Sequence, residues 1–114
     1  MSQHRSAISL RHMLDHALEA VAMTKGKTRT DLDEDRQLNL AVVRLLEIIG
    51  EAANRIPKED QALYSDISWP EIISLRNRLI HGYETVDFDV LWQIVDQDLP
   101  RLIESIREIL REGS

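Results

Sequence analysis

Cysteine is absent from this 114-residue chain, and glycine and proline are scarce, with four and three copies. Without cysteine the chain cannot form a disulfide, a zinc–thiolate site, an iron–sulfur cluster or a cysteine nucleophile. No apolar run approaches the roughly 18 residues that a membrane-spanning helix needs. The N-terminus also lacks the apolar stretch of a signal peptide. These absences favour a reducing compartment, and we expect a cytoplasmic protein.

Positive charge is in the minority, because 14 Lys and Arg stand against 20 Asp and Glu and leave a net charge of −6. A broad, non-specific DNA-binding protein is normally basic. The net negative charge argues against a non-specific DNA-binding protein, so any nucleic acid is expected to bind at a local patch. The N-terminal segment with His4, Arg5, Arg11 and His12 is one candidate for part of such a patch.

The apolar residues recur every three or four positions along the chain, and strand-like alternation and hairpin signals are missing. This period predicts helices. We expect an all-α fold, a single domain over residues 1–114 built as an up-and-down bundle of four to five helices. Because so small a bundle covers its core only partly, a homodimer through an exposed apolar face is expected.

Four long helical segments are predicted from apolar stripes and from residues that begin or end helices. A short helical or irregular stretch at 58–66 separates the second from the third. The predicted segments are Ser6–Met23, Leu32–Arg55, Ser68–His81 and Asp87–Arg111.

Three features of these segments predict local detail. Ser68 and Glu71 have the spacing of a capping box at the start of the third helix. Pro100 lacks an N–H and is expected to kink or divide the last helix. Gly50 costs about 1 kcal/mol relative to alanine inside a helix. Its presence predicts a close helix approach or, as a second explanation, a subunit contact.

The densest group of reactive side chains lies at 75–83, where the sequence reads LRNRLIHGY. Arg76 falls near the buried face of the predicted helix, so its head group must find an acceptor or reach past the edge of the core. Arg76 and His81 would stand about 140° apart on an ideal helix. Either the helix loosens at Gly82, or a second copy of the motif completes the site.

An imidazole beside a guanidinium suits a phosphate-bearing ligand. The predicted place of His81 at a helix C-terminus favours the imidazolium form. RNA cleavage by its own 2′-hydroxyl needs no metal; it needs charge stabilisation and an acid for the leaving oxygen, which Arg76 and His81 could supply. The alternative is an ordinary solvated or ion-paired surface, with His81 as a favourable helix cap.

No metal site is predicted from the other polar clusters. His12 and His16 have the spacing of a chelating pair, but they lie opposite the apolar stripe of the first helix and are interpreted as a solvated face. Glu47 and Glu51 could act as paired carboxylates. The favoured interpretation is that they lie at the edge of the bundle or pair with Arg44 and Arg55 at helical spacing.

The residues from Arg76 to Tyr83 read R-x4-H-x-Y, and this string resembles the motif of HepT-like proteins in the HEPN superfamily. The resemblance covers roughly residues 8–112, and four further stretches carry it. These are Leu46–Ala53, Ile67–Ile72, Val86–Trp92 and Asp98–Pro100.

The resemblance implies a dimeric helical bundle in which two motifs share one cleft. It implies a metal-independent endoribonuclease without cofactors that leaves a 2′,3′-cyclic phosphate and a 5′-hydroxyl. Such a protein is the toxin of a type VII toxin–antitoxin system, and its partner, a minimal nucleotidyltransferase, transfers AMP to the motif tyrosine. Carried over by position, Arg76 and His81 are the catalytic pair, Asn77 and Arg78 support the site or position RNA, and Tyr83 receives AMP.

Two other functions stay open on the sequence alone. One is a non-catalytic helical module that binds a nucleotidyltransferase or a nucleotide through the same cleft. The other is a structural dimerisation bundle. His81→Ala separates the three, because only an enzyme would lose RNA cleavage with its fold intact.

Overall fold

The computed structural model describes residues 2–81 and 85–112, and this part of the chain is almost wholly helical. The predicted all-α class is confirmed. None of the described helices has a stretch long and apolar enough to cross a lipid bilayer. The helices are α1 (Ser2–Thr24), α2 (Arg29–Glu34), α3 (Arg36–Asn54), α4 (Lys58–Leu63), α5 (Trp69–Ile73), α6 (Leu75–Leu79), α7 (Phe88–Gln93) and α8 (Leu99–Glu112), and a π turn (Ile94–Asp98) joins the last two.

The hydrophobic core lies where α1 packs against both α3 and α8. The predicted apolar stripes of these helices face one another there, so the burial of their side chains holds the long helices together. Fully buried members include Leu10, Met13 and Ala17 of α1, Val42, Leu46 and Ile49 of α3, and Leu99 and Ile106 of α8.

The predicted second helix is divided, and the prediction of one helix from Leu32 to Arg55 is wrong. Thr28 caps the short helix α2 in a capping box with Asp31. Asp35 then adopts an extended conformation, and its carboxylate accepts from the backbone N–H of Leu38 at 3.0 Å. Because this carboxylate satisfies an orphan donor of a new helix, the chain begins α3 after Asp35.

The predicted third helix from Ser68 to His81 is also wrong. It breaks at Ser74, whose hydroxyl donates to the carbonyl of Pro70 at 2.6 Å and competes with the helical pattern. Ser68 stands at the N-cap of α5, but its side chain makes no capping hydrogen bond, so the predicted capping box does not form. The second piece, α6, ends at Leu79.

Beyond α6 the backbone is extended and turns back on itself. Strand β1 (Ile80–His81) pairs antiparallel with strand β2 (Thr85–Val86), with Ile80 opposite Val86. The amide of Asp87 donates to the carbonyl of Leu79 at 2.7 Å and closes the ribbon against the end of α6. The helix therefore loosens at Ile80, earlier than the predicted position at Gly82.

The last helical segment departs from the α-helix just before Pro100. The amide of Leu99 donates to the carbonyl of Ile94, five residues back, which defines the π turn. A wider turn at this point lets the chain continue helically through a residue that has no N–H. The predicted division of this segment is confirmed, and it lies in the turn that precedes the proline.

Gly50 marks a close approach between α3 and α5, as predicted. A methyl group at this position would lie 3.1 Å from the carbonyl oxygen of Ile72 and 3.3 Å from that of Ile73. With any other residue at position 50, the α5 backbone would have to move away by a few tenths of an ångström. The contact fixes α3 beside the segment that leads into α6, where the motif begins.

Candidate functional site

Helix α6 presents the first half of the motif to solvent. Its two leucines, Leu75 and Leu79, are fully buried and anchor the helix on the core. Arg76 and Asn77 are exposed, and Arg78 is half-buried. Three of the predicted site residues therefore share one short helix whose orientation is set by apolar contacts.

Arg76 faces the acidic side of α3. Its Nε lies 3.7 Å from Oε2 of Glu47, and the two side chains are 51% and 25% exposed. Arg44 approaches the same carboxylate at 3.8 Å and reaches Glu51 at 3.6 Å. The predicted pairing of Glu47 and Glu51 with Arg44 is confirmed, whereas the ion pairs of the described residues include none with Arg55. We call Arg44, Glu47, Glu51 and Arg76 the α3 charge network.

A solvent-open hollow of about 220 Å³ lies between the α3 charge network and α6. Guanidinium and carboxamide groups offer N–H donors there, and carboxylates and carboxamides offer acceptors. The hollow is thus a polar recess beside the motif arginine. Its lining consists of Glu47, Gly50, Glu51, Asn54, Ile73, Arg76 and Asn77.

Arg78 points to a different partner from that of Arg76. Its Nη2 donates to Oδ2 of Asp98 at 3.3 Å, and the two side chains are 27% and 24% exposed. Its Nη1 is buried and has no hydrogen-bond acceptor within residues 2–81 and 85–112. In this arrangement Arg78 ties α6 to the π turn.

The second half of the motif lies on the strand. The backbone of His81 pairs with Thr85 in the ribbon, two residues beyond the end of α6. The predicted position of His81 in the last turn of a helix is therefore wrong, and the helix-dipole contribution expected there does not apply. The side chain of His81 is not among those described, and Tyr83 lies outside the described residues.

The sequence did not predict that Glu47 is a partner of Arg76. It also did not predict that Asp98 is a partner of Arg78. A signal for the first existed, because Arg76 needed an acceptor near the core edge and Gly50 predicted a helix close by. No comparable signal in the sequence predicted Asp98 as the partner of Arg78, because the contact joins residues 20 positions apart on separate elements.

The histidine pair of α1 is used within its own helix. Nδ1 of His16 lies 2.6 Å from the carbonyl oxygen of His12, and the two rings stack with centroids 5.9 Å apart. Among the described side chains, no three of His, Asp or Glu converge as metal ligands.

Comparison with known proteins connects this geometry to a family. The family described as "Ribonuclease HepT-like" matches residues 10–109. A Caldanaerobacter subterraneus protein named "Putative RNase TTE0752" is 36% identical over 103 residues, which cover 90% of this chain and 92% of that protein. The "Probable ribonuclease HepT" of Thermococcus cleftensis is 40% identical over 93 residues, 78% of this chain and 84% of that protein. No solved structure matches the chain. The chain is therefore a member of the HepT-like ribonuclease family.

Proposed function

We propose that this chain is a metal-independent endoribonuclease and the toxin of a type VII toxin–antitoxin system. Family membership supports the ribonuclease function in general terms. The observation that carries the finer proposal is the exposed guanidinium of Arg76, held beside a polar recess on the helix that leads directly into His81. Such a site suits a phosphodiester, because charge-assisted hydrogen bonds from arginine match phosphate oxygens.

In the proposed reaction the 2′-hydroxyl of the RNA attacks the adjacent phosphorus. The 2′-oxygen–phosphorus bond forms, the bond to the 5′-oxygen breaks, and the proton of the 2′-hydroxyl passes to solvent or to a basic group. Arg76 stabilises the negative charge that builds up on the phosphorane. His81 donates a proton to the leaving 5′-oxygen. The products are a 2′,3′-cyclic phosphate and a 5′-hydroxyl.

The supporting residues divide into two roles. Asn77 lines the recess next to Arg76 and can donate or accept a hydrogen bond to the phosphate or ribose. Arg78, through Asp98, holds α6 in place and so supports the position of Arg76. We further propose that two copies form a homodimer whose motifs share one cleft.

The proposed control step is transfer of AMP from ATP to Tyr83 by a nucleotidyltransferase partner. The tyrosyl oxygen attacks the α-phosphorus of ATP, a new ester bond forms, and pyrophosphate leaves. The added group is bulky and negatively charged, and it lies two residues from His81. It would compete with RNA for the motif arginines and so inhibit cleavage.

The test of the ribonuclease uses purified wild type, Arg76→Ala and His81→Ala on cellular RNA in the presence of EDTA. Arg107→Ala is a matched control, because Arg107 is an exposed arginine on α8 and does not belong to the motif. We expect fragments with cyclic phosphate ends from wild type and the control, and a loss of at least a hundredfold in the motif variants. Intact RNA with folded wild-type protein would favour the non-catalytic binding module.

A separate test addresses the partner. Incubation with the nucleotidyltransferase and ATP should raise the mass of wild type by one or more AMP groups and abolish RNA cleavage. Tyr83→Phe should stay unmodified and active. A modified Tyr83→Phe protein would place the acceptor elsewhere.

A further inference from the structure

We propose that Glu47 is a positioning residue that orients the guanidinium of Arg76 for its role in catalysis. The proposal rests on the proposed ribonuclease function. It starts from the contact between Oε2 of Glu47 and Nε of Arg76 at 3.7 Å. Glu47 is the more buried of the two, with 25% of its side chain exposed against 51% for the arginine.

The contact with Glu47 involves only part of the guanidinium group. A guanidinium carries five N–H donors, and the carboxylate of Glu47 lies beside one of them, the Nε–H. Glu47 can therefore restrict the rotation of Arg76 while RNA is bound.

The position of Glu47 on α3 is rigid for an independent reason. Glu47 and Gly50 are three residues apart and so lie on the same face of the helix. That face is fixed against α5 by the close approach of Gly50 to the carbonyl groups of Ile72 and Ile73. Because α6 follows α5 directly, the distance between Glu47 and the start of the motif is set by backbone packing.

Arg44 completes the arrangement. It lies 3.8 Å from the same Glu47 oxygen and balances part of its negative charge. A carboxylate shared by two arginines binds each less strongly than a carboxylate with one partner. Glu47 therefore offsets less of the positive potential that Arg76 presents to a phosphate.

The experiment compares Glu47→Gln with Glu104→Gln. Both variants remove one negative charge with little change of shape, but Glu104 is exposed on α8 and belongs neither to the α3 charge network nor to the lining of the recess. Three quantities are measured for each: kcat of RNA cleavage, affinity for an RNA with 2′-deoxy nucleotides, and the ¹⁵N–¹H signal of Arg76 Nε. That signal is assigned by its loss in Arg76→Lys.

We expect Glu47→Gln to lower kcat about tenfold, because a small misplacement of a group at the reacting phosphate is costly. Its affinity for the deoxy RNA should be unchanged or higher, since a negative charge has been removed. The Arg76 Nε proton should exchange faster with water. Glu104→Gln should keep kcat and the Nε signal of wild type, and Glu47→Asp should recover part of the lost kcat.

Two results would overturn the proposal: an unchanged Nε signal and kcat in Glu47→Gln, or equal losses in Glu104→Gln. Thermal unfolding of each variant shows whether it is folded. If Glu47→Gln does not fold, the same three measurements on Glu47→Asp test the proposal instead. If wild type cleaves no RNA, the ribonuclease proposal fails. The Nε signal still shows whether Glu47 orients Arg76.

Discussion

Arg78 and Asp98 join the motif helix to the π turn, with Nη2 and Oδ2 3.3 Å apart across a sequence separation of 20 residues. Both side chains are about three-quarters buried, so water screens this pair less than the exposed pairs on the surface. The pair attaches α6 to the π turn, which immediately precedes α8.

Loss of this pair should destabilise the fold. Asp98→Asn leaves the Arg78 guanidinium partly buried without a counter-charge, and we expect a loss of about 1–3 kcal/mol in the free energy of unfolding. Asp96→Asn is the matched control, because Asp96 lies in the same π turn but is exposed. Urea unfolding measures both, and equal losses in the two variants would contradict a specific role for Asp98.

Gly50→Ala should destabilise the protein although alanine is the better helix former. The gain of about 1 kcal/mol in helix propensity is outweighed, because the new methyl group would lie 3.1 Å from a backbone carbonyl that cannot rotate away. We expect a net loss of about 1 kcal/mol, within the usual cost of overpacking. RNA cleavage should fall as well, since α3 and α5 must separate.

A second glycine provides the control for that variant. Gly26 adopts a φ of 77°, and a methyl group there would meet no atom within 4 Å. Gly26→Ala should cost about 1 kcal/mol through backbone strain alone. Its cleavage activity should match that of wild type, and a parallel loss of activity in both variants would show that stability rather than helix spacing limits the enzyme.

Ser6 and Asp60 form a buried hydrogen bond that attaches the start of α1 to α4. The hydroxyl donates to Oδ2 of Asp60 at 2.5 Å, and the residues are 1% and 2% exposed. Ser6→Ala removes the donor from a buried carboxylate, and we expect a loss of about 1–3 kcal/mol. Ser9→Ala, on the same helix and partly exposed, should change stability by less than about 0.5 kcal/mol. Chemical unfolding at neutral pH measures the free energy of unfolding of both variants, and equal losses would contradict a specific role for Ser6.

The capping box of α2 should make stability depend on pH in the acid range. The hydrogen bond from the Thr28 backbone to Asp31 lowers the pKa of that carboxyl below its ordinary value. Between the folded and unfolded pKa values the unfolded chain binds more protons, so the contribution of Asp31 is fully present above the unfolded pKa. It is lost as the pH falls through the folded pKa.

The measurement is the difference in unfolding free energy between wild type and Asp31→Asn as a function of pH. We expect the pH-dependent part of this difference to be constant above about pH 5 and to decline below about pH 4. An NMR titration of the Asp31 carboxyl carbon gives the folded pKa directly. A midpoint at or above the ordinary value for aspartate would refute the assignment.

The sequence predicted those parts of the fold that depend on local periodicity. The apolar stripes of α1 and α3 are buried as expected, and Gly50 marks a close helix approach. The helix breaks were missed where a side chain competes with the helix for hydrogen bonds, as at Asp35 and Ser74. At Ile80 the break depends on a partner strand, and apolar periodicity carries no information about such pairing.

The candidate site divides in the same way. The sequence indicated Arg76, Asn77 and Arg78 as candidate site residues, because several different polar side chains occur together on one short helix that apolar residues anchor. Their partners could not be identified, since Glu47 and Asp98 come from separate elements that packing brings near.

The strand after α6 changes how the spacing of the motif should be understood. Each residue of a helix turns the chain by about 100° and advances it by about 1.5 Å. Each residue of a strand advances it by about 3.3 Å and reverses the side of the next residue. One residue added within β1 would therefore exchange the two faces of the ribbon, and a second would restore them. At the histidine end of the motif, the side on which the histidine lies therefore depends on whether the number of added residues is even or odd. A wholly helical motif would not show this dependence.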